Sequence, residues 1–155
     1  MNLKEIDKTV GLNVSQFCQN YSTQNENHCA HFVCHLLGLG FGYTCVSFKG
    51  NHGSPAANIR VHELFRQCVQ VGPWGQQTGP DCFIFVTKAN QRINYRTKTF
   101  PNINQKHVGI YRGGWVYHYS NHGGHKVLKQ TLPQFQAHMA GAYGPIQIAY
   151  GSMPV

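Results

Sequence analysis

The run His107-Val108-Gly109-Ile110-Tyr111-Arg112-Gly113-Gly114-Trp115-Val116-Tyr117-His118-Tyr119-Ser120-Asn121 is rich in β-branched and aromatic residues on both sides of a Gly-Gly pair. Paired glycines accept the positive φ angles of a tight hairpin turn, so this stretch is predicted to fold as strand, turn and strand. Far upstream, Asn25-Glu26-Asn27-His28-Cys29-Ala30-His31-Phe32-Val33-Cys34 passes from turn formers into an apolar periodicity. Ala30, Val33, Cys34 and Leu37 recur at helical spacing until Gly38 offers a stop, which places Cys29 in the first turn of a buried helix.

A cysteine at that position has a chemical use. The thiolate is the nucleophile, and a free thiol at neutral pH is mostly protonated. A helix N-terminus offers a partial positive charge and unpaired N–H groups, which favour the thiolate and can also hold a developing oxyanion. The base need not be near in sequence, because nucleophile and base meet in the fold. His107, opening the first strand of the hairpin, meets that requirement. The antiparallel neighbour strand can set either His118 or Asn121 beside it, to accept from the imidazole N–H and fix its tautomer.

These residues resemble a known family. Cys29 followed by a small residue and Phe32-Val33 on a helix, then His107-Val108-Gly109-Ile110-Tyr111, a glycine turn and Val116-Tyr117-His118, is similar to the NlpC/P60 cysteine peptidases and the related CHAP amidases. Gly79-Pro80-Asp81-Cys82-Phe83-Ile84-Phe85 resembles the family's Gly-Asp-apolar-Phe strand before the histidine. The resemblance covers the chain from Cys29 to Asn121. It implies an α+β, papain-like core, with N-terminal helices and the nucleophile's helix packed on an antiparallel sheet. It implies Cys29 as nucleophile, His107 as base and His118 as orienting residue, with Asn121 as the CHAP-like alternative. Tyr21 would join the Cys29 backbone N–H in the oxyanion hole. The implied substrate is peptidoglycan, cut at a stem-peptide bond or at the muramoyl-alanine amide. The segment from Asn27 to Val33 is also similar to the lecithin:retinol acyltransferase-like group, which leaves lipid or thioester acyl transfer as the alternative chemistry.

Composition sets compatible limits. At 155 residues the chain is expected to form a single catalytic domain over 1–155, with no repeats or low-complexity linkers. A formal charge of +8 favours polyanionic partners, among them cell-wall polymers. Lysines and arginines are scattered, with no basic helix or aromatic-interleaved motif, so nucleic acid is not the expected partner. The charged start, Met1 to Lys8, lacks the apolar core of a secretory signal, and no window is long enough to span a membrane. The expectation is therefore a protein made in the cytoplasm without a Sec signal, acting in the periplasm or wall of a target bacterium. An injected antibacterial amidase effector fits, with an immunity protein as its inhibitor; a phage endolysin is the other route.

The six cysteines show no disulfide-framework spacing. Cys34, Cys68 and Cys82 fall where cysteine serves as a small hydrophobe, while Cys18 and Cys45 flank the nucleophile's helix and are the pair an oxidising compartment could join. His31 and His35 lie one turn apart and could share a face with Cys34 or His28. No second Cys/His pair follows, and a site on one helix leaves coordination positions unfilled, so no metal or other cofactor is expected. Elsewhere, helices are predicted at Val10–Tyr21, capped by Asn13 or Ser15, at Asn58–Val69 and at Leu132–Met139, and strands at Lys126–Lys129 and Ile146–Tyr150. Residues 48–57 and 71–80 read as loops, with Trp74 as a substrate-stacking candidate. The polar segment from Lys88 to Lys106 reads as a lid carrying Arg92 and Arg96 towards a substrate carboxylate.

Overall fold

Gly113 and Gly114 adopt φ values of 60° and 86° in a computed structural model that describes residues 2–18, 28–39, 60–121 and 124–153. The turn they make joins β3 (Lys106–Arg112) to β4 (Trp115–Ser120), the hairpin predicted from the sequence. Around it lie β1 (Val71–Pro73), β2 (Asp81–Lys88), β5 (Lys126–Thr131) and β6 (Ile146–Gly151), in one antiparallel sheet of order β1-β6-β2-β3-β4-β5. Helices α1 (Val14–Phe17), α2 (Cys29–Leu37), α3 (Val61–Gln67) and α4 (Leu132–Tyr143) complete an α+β architecture.

Strand register assigns the two faces of the sheet. Phe83 pairs with Ile110 and Phe85 with Val108. Because side chains alternate along a strand, these four join Tyr117 and Tyr119 on one face, where Phe32, Val33 and Leu36 of α2 and Leu64 and Phe65 of α3 cover them. The alternate residues Ile84, Val86 and Val116 meet Phe135 and Met139 of α4 on the other face. The helix predicted from the turn formers before Cys29 is α2, ended by Gly38 in the left-handed region at φ 69°.

Several elements differ from expectation. The helix foreseen over Val10–Tyr21 is a single turn, α1, with Asn13 as its cap in a reciprocal pair with Gln16. Gly11 at φ 85° breaks the chain before it, and a 3-10 helix, Leu3–Thr9, precedes that break. The loop foreseen at 71–80 contains β1, an edge strand on β6 whose three residues are too few for alternation to register. The helix at 58–69 is α3, closed by Cys68 as expected; residues 58 and 59 lie outside the described residues. Helix α4 begins at the foreseen Thr131 cap and continues four residues past Met139, to Gly144 at φ 79°. The segment from Lys88 to Lys106 is a pinned wall and not a lid. Phe100 is buried between Phe65 and Phe85, with ring centroids at 5.0 and 5.7 Å, and Asn94 and Thr99 close a small β-bridge. Tyr21, Cys45 and the loop foreseen at 48–57 lie outside the described residues. Among the described residues, no helix is long and apolar enough to cross a membrane.

Candidate active site

Cys29 is the first residue of α2, with His28 at the cap position and the next turn closed by the Phe32 N–H donating to the His28 carbonyl at 2.8 Å. Helix α2 packs on β3, and the Cys29 sulfur accepts a hydrogen bond from the backbone N–H of Val108, the residue after His107, and another from that of Ala30. The nucleophile foreseen at a helix start thus rests on the strand that carries the foreseen base. Burial nevertheless pushes the thiol up to about 11, the amide donors and the Lys106 charge opposing it only in part. Desolvation of a thiolate outweighs the helix terminus that, read from sequence, was expected to stabilise it.

The two histidines are brought together. His107 Nε2 and His118 Nδ1 lie 2.8 Å apart, and His118 Nε2 lies 2.7 Å from Gln130 Oε1 on β5. With the Gln130 side-chain oxygen facing His118, the contacts order the protons along the line. An amide oxygen only accepts, so His118 carries its proton on Nε2 and presents a bare Nδ1. His107 then donates Nε2–H to that nitrogen, and in its neutral form its own bare nitrogen is Nδ1, the tautomer a thiol's base requires. Burial lowers His118 to about 4, so it stays neutral over the physiological range. Phe135 of α4 stands edge-on to His118, with centroids 4.8 Å apart, and 6.1 Å from the His107 ring, holding both imidazoles from the far side.

A glycine allows this approach. A Cβ on Gly109 would sit 2.8 Å from the Tyr117 carbonyl oxygen and 3.0 Å from the His118 Cβ, so only glycine lets β4 come this close to β3 beside His107. His118 is thus brought within hydrogen-bond distance of His107. Asn121, the alternative, lies in the turn after β4.

Other foreseen site residues sit elsewhere. Trp74 packs edge-on against Tyr111 at 5.0 Å, at the opposite end of β3 from His107, and lines a cavity of about 350 Å³ with Gln136, Ala140, Ile146 and Ile148. Arg92 and Arg96 are exposed on the connection between β2 and β3. The cation whose charge reaches the Cys29 sulfur is Lys106, at the start of β3, with Arg60 and Glu63 of the α3 entry beside it. Tyr143 of α4 donates its hydroxyl to the Lys106 carbonyl at 3.2 Å, and burial raises it. Gln130 and Lys106 were not foreseen. A lysine one residue before the base was the available signal for the second; nothing local marks the first.

The cysteines are buried thiols at Cys18, Cys34, Cys68 and Cys82, the last three in the packing roles foreseen for them. Among the described residues, the group of ligating atoms that includes His31 and His35 does not include Cys34 or His28. The cysteine that reaches them is Cys18, from the end of α1. Comparison of the chain with protein-family models, with curated proteins and with solved structures finds no match.

Proposed function

We propose that this chain is a papain-like cysteine hydrolase of the NlpC/P60 type that cleaves amide bonds of peptidoglycan. One observation carries the reading: the hydrogen-bonded line Gln130–His118–His107, which sets His107 Nδ1 as the basic nitrogen on the strand against which the Cys29 sulfur rests. Structural histidine pairs are common, but a pair whose protons are ordered from one end is what a thiol's base needs.

In the reaction His107 Nδ1 takes the Cys29 proton as the sulfur attacks the scissile carbonyl. The sulfur–carbon bond forms and the carbonyl π pair moves onto oxygen, where N–H groups at the start of α2 hold it. His107 returns the proton to the leaving nitrogen as the carbon–nitrogen bond breaks, and water then releases the acyl group from sulfur. His118 keeps the imidazole oriented and accepts the Nε2 hydrogen bond throughout, with Gln130 fixing His118 in turn. Lys106 sets a positive charge near the thiol, suited to the carboxylates that stem peptides carry. With a formal charge of +8, such a domain would be drawn to the wall of a target bacterium, and an immunity protein covering the thiol is the corresponding partner.

The test is to incubate wild-type and Cys29→Ala protein with Gram-negative sacculi and to resolve soluble products by mass spectrometry. New muropeptides from wild type alone, bearing a new amine, are expected, and their masses name the bond. A folded wild-type protein that releases nothing overturns the reading; transfer of an acyl chain from lipid would put the same residues to acyltransferase use.

A further inference from the structure

We propose that Cys18, His31 and His35 form a zinc site that fastens the end of α1 to the helix carrying Cys29. One ligating atom from each residue lies within 4.8 Å of the other two. A tetrahedral zinc with one thiolate and two imidazoles has ligand–ligand edges of about 3.3–3.6 Å, so the three close on an ion by shifts of about an ångström.

The backbone fixes where each ligand comes from. His31 and His35 are four residues apart on α2 and so project from one face of the helix. Cys18 is the C-cap residue that follows α1, its N–H bonded to the Val14 carbonyl at 2.8 Å. The missing partner on which a one-helix site fails thus arrives from a second element. Phe17 stands against both rings, with centroids at 6.0 Å from His31 and 5.7 Å from His35, and gives the cluster an apolar wall.

The surrounding contacts are those that orient metal-bound imidazoles. His31 Nδ1 meets His28 Nδ1 at 2.9 Å, and His35 donates to the Phe17 backbone carbonyl. Each ring has a second nitrogen able to coordinate, and a hydrogen bond on the other nitrogen is what fixes the tautomer of a ligating histidine. Cys18 gives up its thiol proton to solvent as the sulfur–zinc bond forms. One thiolate with two imidazoles selects zinc over the hard cations. Cys18 and His31 are buried and His35 is half-buried, which leaves water as the fourth ligand on the His35 side.

The site is separate from the proposed catalytic line, and its test does not depend on activity. Metal-free protein is titrated with zinc against a chromophoric chelator, then with cobalt(II) while the visible and near-ultraviolet spectrum is recorded. One equivalent should bind, with a thiolate-to-cobalt charge-transfer band and the d–d bands of a tetrahedral ion. Cys18→Ser should abolish the charge-transfer band, and His35→Ala, at a half-buried position, should weaken zinc by about 100-fold or more. Cys29→Ala should bind as wild type. Absence of stoichiometric binding by wild type, a charge-transfer band that survives Cys18→Ser, or one that vanishes in Cys29→Ala would each overturn the proposal, the last by assigning the metal to the other thiol.

Discussion

The proton on each nitrogen of the Gln130–His118–His107 line follows from the single group that has no choice, the Gln130 carbonyl oxygen. Removing it is the sharpest test of the order. Gln130→Leu leaves His118 Nε2 without this acceptor and free to present either tautomer to His107. The expected result is a fall in kcat of about tenfold to a hundredfold, the range for groups that orient a functional histidine, with KM little changed. Gln130→Glu restores an acceptor and should recover most of the rate. It should also move the acid limb of the pH profile upward, because a carboxylate stabilises a charged His118. Equal losses in both variants would assign Gln130 to packing alone. Cys29 and His107 could be singled out in the sequence because each lies at the start of a strongly periodic segment, and His118 because it lies on the strand across the Gly113-Gly114 turn. Gln130 was not, since its role depends on the pairing of β4 with β5, which sets His118 opposite Leu128 and leaves Gln130 diagonal to it on the same face. The Lys106 charge was equally hidden: the sequence pointed to Arg92 and Arg96, and the pinned segment between β2 and β3 leaves both exposed.

Strand β3 must pass close to β4 on one side and receive α2 on the other, and Gly109 is the residue that permits the first. A methyl group there meets the Tyr117 carbonyl oxygen, which is backbone in a ladder and cannot swing aside. Gly109→Ala should therefore destabilise the fold by about 1–3 kcal/mol, the usual cost of forcing extra volume into a packed region. It should also lower kcat by more than any loss of folded protein explains, because the displaced element carries His118; urea unfolding and turnover measured on the same sample separate the two effects. Helix α4, whose Phe135 supports both rings, depends on its start: Thr131 accepts from the Gln134 N–H while Gln134 reaches back to the Thr131 N–H. Thr131→Ala should cost about 1 kcal/mol in unfolding free energy. The hairpin, α2 and the start of α4 were all readable from capping and turn chemistry. The single turn of α1, the 3-10 helix before it and β1 were not, being shorter than the windows over which periodicity accumulates.

Burial on both faces of the sheet leaves several ionisable groups neutral inside, and this gives the whole protein a pH dependence that can be worked out in sign. His118 is lowered to about 4, whereas an imidazole in the unfolded chain titrates near 6.5. Below about 6.5 the unfolded chain binds protons that the folded protein does not. Stability therefore rises with pH in that range and falls as pH drops from about 6.5 towards 4. His118 alone accounts for roughly 3 kcal/mol of loss by pH 4. On the alkaline side burial raises Cys29 to about 11 and Cys68 and Cys82 to about 12. Above about 9 the unfolded thiols release protons that the folded ones keep, so stability falls again as pH rises. The expected curve is a plateau between about pH 6.5 and 9 with a decline on each side. Urea midpoints measured from pH 4 to 11 give the curve directly. His118→Gln, which keeps hydrogen-bonding capacity without a titrating group, should make the acid limb shallower while leaving the alkaline limb in place, and Cys29→Ala should make the alkaline limb shallower, Cys68 and Cys82 retaining the rest of it. An acid limb unchanged by His118→Gln would mean that the ring is charged within the fold, and the ordered line of protons from Gln130 to His107 would fall with it.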